Sequence, residues 1–188
     1  MQIFAVNGSP RAEKGNTEKL LDPFLAGMTR AGAAIDRCYP ARLSIKPCAG
    51  EFICWNRTPG ACHIQDDMQL IYPKLRASDI LVLATPVYVP LPREMQDFLN
   101  RLMPLIQPLL SYKHGRTRAR FHKSVRIAKI VLVSTSGWWE LGNFGTVLRI
   151  AREFAEDVSV KFAGALLRPH CHEALVHEEI SSQIFQAA

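Results

Sequence analysis

The sequence predicts an α/β protein in which a doubly wound parallel sheet is covered by helices on both faces. Apolar runs of strand length alternate with segments of helical periodicity along the whole chain, without an internal repeat. Right-handed crossovers between parallel strands then restrict the topology to a doubly wound sheet. The length of 188 residues suits one domain, and we assign a single domain to residues 1–188.

Five apolar segments predict the strands. The first ends in the turn residues Asn7 and Gly8, and the fourth ends in a Ser/Thr/Gly turn. The third is aliphatic throughout, as expected of a strand that is buried on both faces. The second alternates loosely, and Pro40 predicts an edge position or a bend for it. The predicted strands are residues 1–6, 34–45, 80–88, 127–137 and 158–169.

Four segments carry apolar residues at three- and four-residue steps, which predicts amphipathic helices. The first includes Pro23 in its middle, where a kink is expected. Asp66 and Asp67 stand at the start of the second, where acidic residues favour a helix N-terminus. The predicted helices are residues 17–32, 66–79, 92–102 and 144–157.

The topology also predicts where a ligand binds, because ligands of doubly wound sheets lie beyond the carboxyl ends of the strands. Three loops meet there, and we call residues 8–17, 85–92 and 134–145 the first, second and third loops. The second contains three prolines, which stiffen a segment that can present backbone groups to a flat ring. The third contains Trp138 and Trp139, of which one is expected to line a pocket or a subunit contact.

The first loop carries the donors that an anion needs. Ser9, Asn16 and Thr17 supply hydroxyl and amide groups, and Gly8 and Gly15 let the backbone approach a ligand. The helix that follows offers unpaired N–H groups at the positive end of its dipole. The loop matches neither the Walker A pattern nor G-x-G-x-x-G. It predicts a phosphate site, and the alternative is a turn without a ligand, capped by Asn16 or Thr17.

Three segments carry a resemblance to a known family: GSPRAEKGNT, ATPVYVPLPREMQDFLNR and STSGWWE. They resemble the FMN-contacting loops of the flavodoxin-like NAD(P)H-dependent FMN reductases, in the branch that includes the iron-sulfur flavoproteins. The resemblance runs over nearly the whole chain. It implies a five-stranded flavodoxin-like sheet with FMN bound noncovalently at the strand termini.

The resemblance also implies roles for individual residues. The phosphate would be held by Ser9, Arg11, Asn16 and Thr17, with Gly15 allowing the close approach of the backbone. The isoalloxazine ring would lie along Pro86, Val87 and Tyr88, and its far side would be closed by Ser134, Thr135 and Gly137. The flavin performs the electron transfer in such proteins, so no catalytic residue is named.

The expected function is therefore that of an FMN-binding oxidoreductase that passes electrons from NAD(P)H to a small acceptor, a quinone or a flavin. The resemblance further implies a homodimer or homotetramer. Two other classes stay open. One is a flavodoxin-type electron carrier without a substrate of its own, although such carriers tend to be acidic and the net charge here is +6. The other is a nucleic-acid-binding module that uses the basic residues 113–126.

A cysteine-bearing loop, residues 48–62, raises the question of a metal. Cys48, Cys54 and Cys62 are three candidate thiolate ligands, but iron-sulfur clusters use four, and Glu51 stands where a further cysteine of a compact run would fall. A zinc site completed by the adjacent histidine is the other alternative. We favour small thiols without a metal, in a loop that covers the flavin edge or a dimer surface with Trp55 as its apolar anchor.

The remaining sequence features concern the basic segment, the cellular location and the histidines near the C-terminus. Residues 113–126 hold six Lys/Arg and no acid, a composition typical of a solvated loop. No secretory signal precedes the five cysteines, and no apolar run approaches the ~18 residues that cross a bilayer, so we expect a cytoplasmic protein without a membrane partner. Three histidines stand near Cys171 toward the C-terminus and are interpreted as exposed groups, not as metal ligands: His170, His172 and His177.

Overall fold

The computed structural model describes residues 1–113 and 115–174. Its strands are β1 (Gln2–Asn7), β2 (Ala34–Cys38), β3 (Ile80–Pro86), β4 (Ser111–Lys113), β5 (Arg116–Arg118), β6 (Lys129–Thr135) and β7 (Lys161–Arg168). Its helices are α1 (Asn16–Arg30), α2 (Ile53–Asn56), α3 (Met68–Ala77), α4 (Arg93–Asn100), α5 (Gly145–Asp157) and α6 (Cys171–Ala174). His177 and the end of the chain lie outside the described residues.

Five of these strands form one parallel sheet with the order β2-β1-β3-β6-β7. β1 pairs with β2 on one side and with β3 on the other, so the strand order reverses at β1. The predicted doubly wound fold is thereby confirmed, as is the edge position of β2. That strand ends at Cys38, earlier than predicted, because Pro40 begins a short 3-10 turn.

Two apolar clusters hold the helices on opposite faces of the sheet. On one face, Leu20, Leu21 and Leu25 of α1 pack with residues of β1 and β3. On the other face, α3, α4 and α5 bury residues such as Leu75 and Phe98. Both clusters draw on the same central strands, which explains why β3 is aliphatic along its length.

A buried ion pair joins the start of α3 to the end of α4. The side chains of Asp66 and Arg101 are each 1% exposed, and their closest N–O distance is 2.5 Å. Asp66 also accepts hydrogen bonds from the backbone N–H groups of Lys46 and Met68. Burial alone raises the pKa of Asp66, but the bonds from Arg101 and from the two N–H groups outweigh it and lower the pKa.

The basic residues 113–126 were predicted to form a solvated loop, and this prediction is wrong in part. β4 and β5 pair as a short antiparallel hairpin at the beginning of the segment. Arg118 is largely buried against the end of α5, with its guanidinium 3.0 Å from Glu156 and 3.2 Å from Asp157. Arg126 pairs with Asp79 at 2.6 Å. Tertiary contacts with acidic residues elsewhere in the chain thus order a segment that is uniformly basic in sequence.

None of the helices in the described residues combines the length and the apolar character that crossing a membrane requires.

Candidate functional site

The three loops come together at the carboxyl edge of the sheet, and Thr135 stands at their meeting point. Its hydroxyl lies 2.9 Å from that of Thr17, which joins the third loop to the first. Its backbone carbonyl accepts a hydrogen bond from the N–H of Val87 at 2.8 Å, which joins the third loop to the second. The register of β3 and β6 causes this meeting, since Pro86 stands opposite Thr135.

The first loop is folded back on itself around Ser9, which is buried. The N–H of Ser9 donates to the Asn7 side-chain oxygen at 3.0 Å, and the Ser9 hydroxyl accepts from the N–H of Arg11 at 3.2 Å. A Cβ at position 15 would lie 2.7 Å from the Ser9 hydroxyl oxygen. The loop can therefore close this tightly only because position 15 is glycine.

Gly8 has a comparable reason to be glycine. A Cβ at this position would lie 2.5 Å from the Cβ of Met95 in α4. The start of the first loop therefore packs directly against α4, which lies on the face of the sheet opposite to α1. Gly8 was predicted to let the backbone approach a ligand. In the structure, the backbone at Gly8 approaches Met95.

The N-terminus of α1 has no side-chain cap. The helix begins after Gly15, which is extended, and no side chain accepts a hydrogen bond from its first turn. The alternative of a cap by Asn16 or Thr17 is therefore wrong. The Thr17 hydroxyl bonds to Thr135 instead, and the Asn16 amide lies 3.6 Å from the sulfur of Cys171. An uncapped helix N-terminus beside a serine hydroxyl has the donor set that phosphate requires.

Arg11 and the second loop supply the exposed parts of the site. Arg11 lies on the surface next to the uncapped helix end. Pro86 and Val87 are half-buried, and Tyr88 is 51% exposed, so its ring is available to a ligand. The Tyr88 N–H donates to the carbonyl of Pro90 at 3.0 Å, and the bond between Val89 and Pro90 is cis.

The third loop combines buried hydroxyls with an exposed tip. Ser134 is fully buried and donates its hydroxyl to the carbonyl of Thr85 at 2.7 Å, so this hydroxyl joins two strands. Ser136 was missed by the sequence analysis. It is buried, and its hydroxyl accepts from the N–H of Trp138 at 3.1 Å. Gly137, between them, is exposed.

The two tryptophans lie at the exposed tip. Trp138 is 67% exposed and Trp139 is 71% exposed, so neither indole is enclosed by the described part of the single chain. The expected pocket is therefore not formed within this part of the chain, and the subunit contact stays a prediction. Trp139 stacks on the ring of His170 with 4.3 Å between centroids. His170 and Cys171 thus contact the third and first loops, while His172 lies on the surface.

The cysteine loop offers the thiols of Cys48, Cys54 and Cys62, whereas an iron-sulfur cluster uses four thiolates. Burial, followed by the neighbouring thiols of Cys62 and Cys48, raises the pKa of Cys54 to about 11. Glu51 lies 3.2 Å from His63. Among residues 1–113 and 115–174, no three His, Cys, Asp or Glu side chains are grouped closely enough to hold a metal ion.

The loop instead closes over a cavity of about 670 Å³ that is lined mainly by apolar groups from the loop, α4 and α5. The Trp55 indole donates to the carbonyl of Met103 at 3.2 Å, which confirms its role as an anchor. Pro90 and Leu91 line the same cavity, so its wall reaches the second loop. Cys54 is buried, whereas Cys48 and Cys62 are only half-buried.

The strand order and the three loops define a flavodoxin-like α/β protein with a ligand site at the carboxyl edge. An NAD(P)H:quinone oxidoreductase from Methanothermobacter marburgensis has the same fold, with a TM-score of 0.66 and 15% identity over 100% of this chain and 94% of that chain. A putative quinone reductase from Klebsiella pneumoniae has a TM-score of 0.70 and 14% identity over 100% and 82%. These likenesses confirm the fold.

Sequence comparison shows which family part of the chain resembles. Residues 1–90 match the family model of the NADPH-dependent FMN reductases. An iron-sulfur flavoprotein from Archaeoglobus fulgidus is 31% identical over 117 residues, which are 61% of this chain and 52% of that protein. The chain spans about half the length of the curated relatives it matches. The resemblance predicted from GSPRAEKGNT is confirmed within residues 1–90, whereas STSGWWE lies outside the residues that match the family model.

Proposed function

We propose that the chain binds FMN noncovalently where the three loops meet and passes electrons from NAD(P)H to a small acceptor, a quinone or a flavin. The observation that carries the proposal is the uncapped N-terminus of α1 beside Ser9, at the point where the strand order reverses. The match of residues 1–90 to the FMN reductases supports the same ligand. When bound, FMN supplies the redox chemistry.

The residues of this chain would bind and orient that group. The first-turn N–H groups of α1, the Ser9 hydroxyl and Arg11 would hold the phosphate, because all three are donors at one end of the site. Thr17 and Thr135 would hold the first and third loops together through their hydroxyl pair. Pro86, Val87 and Tyr88 would contact the ring from one side, and the exposed Gly137 would contact it from the other.

Steady-state kinetics with FMN-loaded protein test this proposal. Oxidation of NADH or NADPH that depends on an added quinone or free flavin, with saturation in both substrates, is the expected result. An electron carrier without its own substrate would hold FMN but oxidise either nicotinamide only at the rate of the uncatalysed control. That outcome would show that the protein is an electron carrier and not a reductase.

The nucleic-acid alternative gains no support from the basic segment. Arg116, Arg118 and Arg126 pair with carboxylates of α5 and of Asp79, so part of the positive charge is offset within the protein. A binding surface for phosphates needs basic groups that are available to release counterions. The flavoprotein proposal is therefore the better supported one.

We also propose that the protein is cytoplasmic and that it forms a homodimer or homotetramer. The second and third loops support the assembly, since Val89, Trp138, Trp139 and Leu141 expose large apolar surfaces around the proposed ring site. A second copy that covers this rim would also complete the walls around the ring. Light scattering coupled to size-exclusion chromatography tests the assembly, and a monomer at micromolar concentration would contradict it.

A further inference from the structure

A carboxylate is buried in the first turn of α1, close to the proposed phosphate site. Glu18 is 8% exposed, and it stands on the helix end whose N–H groups we propose to bind a phosphate. Two negative charges near one helix end repel each other, more strongly where water is excluded. A residue of this kind is expected to have neighbours that offset its charge.

Glu18 has three such neighbours, which occupy both of its oxygens. One oxygen accepts from Arg37 at 2.8 Å and from the Tyr39 hydroxyl at 2.9 Å. The other accepts from the Asn7 side-chain NH2 at 2.7 Å. Arg37 and Tyr39 come from β2 and the residue that follows it, whereas Asn7 is the last residue of β1. Arg37 is therefore the cation that offsets the charge of Glu18.

The contact with Asn7 transmits the position of Glu18 to the first loop. A carboxylate only accepts hydrogen bonds, so it determines which end of the Asn7 amide faces it. The amide oxygen is thereby left to face the first loop, where it accepts from the N–H of Ser9 at 3.0 Å. Asn7 is fully buried, so no solvent molecule can take over either bond.

We propose that Glu18 is a positioning residue of the phosphate site, which acts through Asn7 on Ser9, and that Arg37 is its counter-ion. The inference rests on the proposed binding of FMN. Glu18 holds the first loop in the shape that presents the Ser9 hydroxyl beside the α1 N-terminus. It therefore acts on the phosphate of FMN and leaves the contacts of the ring unchanged.

A purely structural role would have a different signature. Arg37 also pairs with Asp22 at 2.6 Å, so the same network joins α1 to β2. Loss of this connection between α1 and β2 would loosen the whole domain and would weaken the binding of every ligand to a similar degree. Riboflavin separates the two roles, because it carries the ring of FMN without the phosphate.

The test compares dissociation constants for FMN and riboflavin in the wild type, Glu18→Gln and Asp22→Asn. Glutamine presents an NH2 group to a donor on one side, so it cannot accept from Asn7 and Arg37 together. We expect Glu18→Gln to lower the preference for FMN over riboflavin about tenfold, the size of one hydrogen bond to a charged group. Asp22→Asn is the matched control, because it removes the same charge from the same helix and the same arginine without touching Asn7.

If Glu18→Gln does not fold, Tyr39→Phe takes its place in the test, because it removes only one hydrogen bond to the carboxylate. This variant is expected to lower the preference for FMN over riboflavin about threefold. Thermal unfolding of the ligand-free variants shows which of them are folded. An unchanged preference in a folded variant, or an equal loss for both flavins, overturns the inference. A wild type that binds neither flavin overturns the proposed function itself, so the two failures are distinguishable.

Discussion

Gly15 is the residue at which the first loop turns into α1, and its missing side chain sets how tightly the loop closes. A methyl group there would lie 2.7 Å from the Ser9 hydroxyl oxygen and 3.3 Å from the carbonyl oxygen of Ala12. Contacts between real Cβ atoms and their neighbours are rarely this short, so the loop would have to open. The position is thus constrained by packing before any ligand is considered.

Gly15→Ala should lower the free energy of unfolding by about 1–3 kcal/mol, as overpacking does elsewhere. Ser9→Ala in the same chain removes the oxygen that makes the shortest contact, so the double variant should recover part of the loss. Urea unfolding of the ligand-free protein measures both effects. Equal stabilities of Gly15→Ala and the wild type would show that the loop is looser than described.

The buried ion pair of Asp66 and Arg101 is the second place where individual residues determine the stability of the fold. Asp66→Asn should destabilise the protein by about 3–5 kcal/mol, because it leaves a buried guanidinium without its counter-charge. Arg93 and Asp97 form an exposed pair on α4 and supply the control. Arg93→Gln should cost less than about 1 kcal/mol. Similar losses in the two variants would contradict the account.

The same pair makes stability depend on pH. Because folding lowers the pKa of Asp66 below its ordinary value of 3.8, the ionised form is the one that stabilises the native state. This contribution is complete above the ordinary pKa and is lost as the pH falls toward the lowered one. Unfolding experiments in that acidic range should show a steeper loss of stability in the wild type than in Asp66→Asn.

The candidate site was predictable only in part at the residue scale. Ser9, Asn16 and Thr17 stand out in the sequence because polar residues follow an apolar strand. The contact of Asn7 with Glu18 does not, because it depends on how β1, α1 and β2 pack. The sequence likewise cannot show that the Ser134 hydroxyl bonds across to β3, since this depends on strand register.

At the scale of elements, most sheet strands and the four longer helices were predictable because they have a strong apolar pattern, whereas β2 alternates only loosely. β3 and β6 are buried on both faces, and α1 shows one apolar side. The hairpin of β4 and β5 was not predictable in this way. Its strands are three residues long and mostly polar, and they depend on contacts with α5 that lie far along the chain.

The prediction at the scale of elements concerns the cysteine loop and its content of iron. Only three thiols stand in residues 48–62, whereas an iron-sulfur cluster uses four thiolates, so we expect that no cluster assembles there. Protein purified without air should contain far less than one iron per chain by elemental analysis. Cys54 should also react more slowly with a thiol reagent than Cys48, which is half-buried.

Iron and acid-labile sulfide in stoichiometric amounts would contradict this prediction. Cys48→Ser provides the control, because a cluster that used this thiolate would be lost with it. The comparison matters because the curated relatives bear the name iron-sulfur flavoprotein. A chain without the cluster would pass electrons from the flavin to its acceptor without an intervening metal centre.

At the scale of the whole molecule, the topology places the first, second and third loops at one edge, and their exposed rim is apolar. The reversal of strand order at β1 opens the crevice, and the α1 N-terminus faces it. The aromatic and aliphatic side chains of the second and third loops border the same place. The proposed phosphate end is thus polar and formed within one chain, whereas the proposed ring end has an exposed apolar rim.

Binding of FMN to the ligand-free protein is the most direct test of the account. We predict saturable uptake of about one FMN per chain, with quenching of flavin fluorescence, followed by bleaching of the flavin absorbance when NAD(P)H is added. Riboflavin should bind more weakly, because it lacks the phosphate that the α1 N-terminus and Ser9 are arranged to hold. Folded protein that takes up no FMN at high concentration would contradict the central claim.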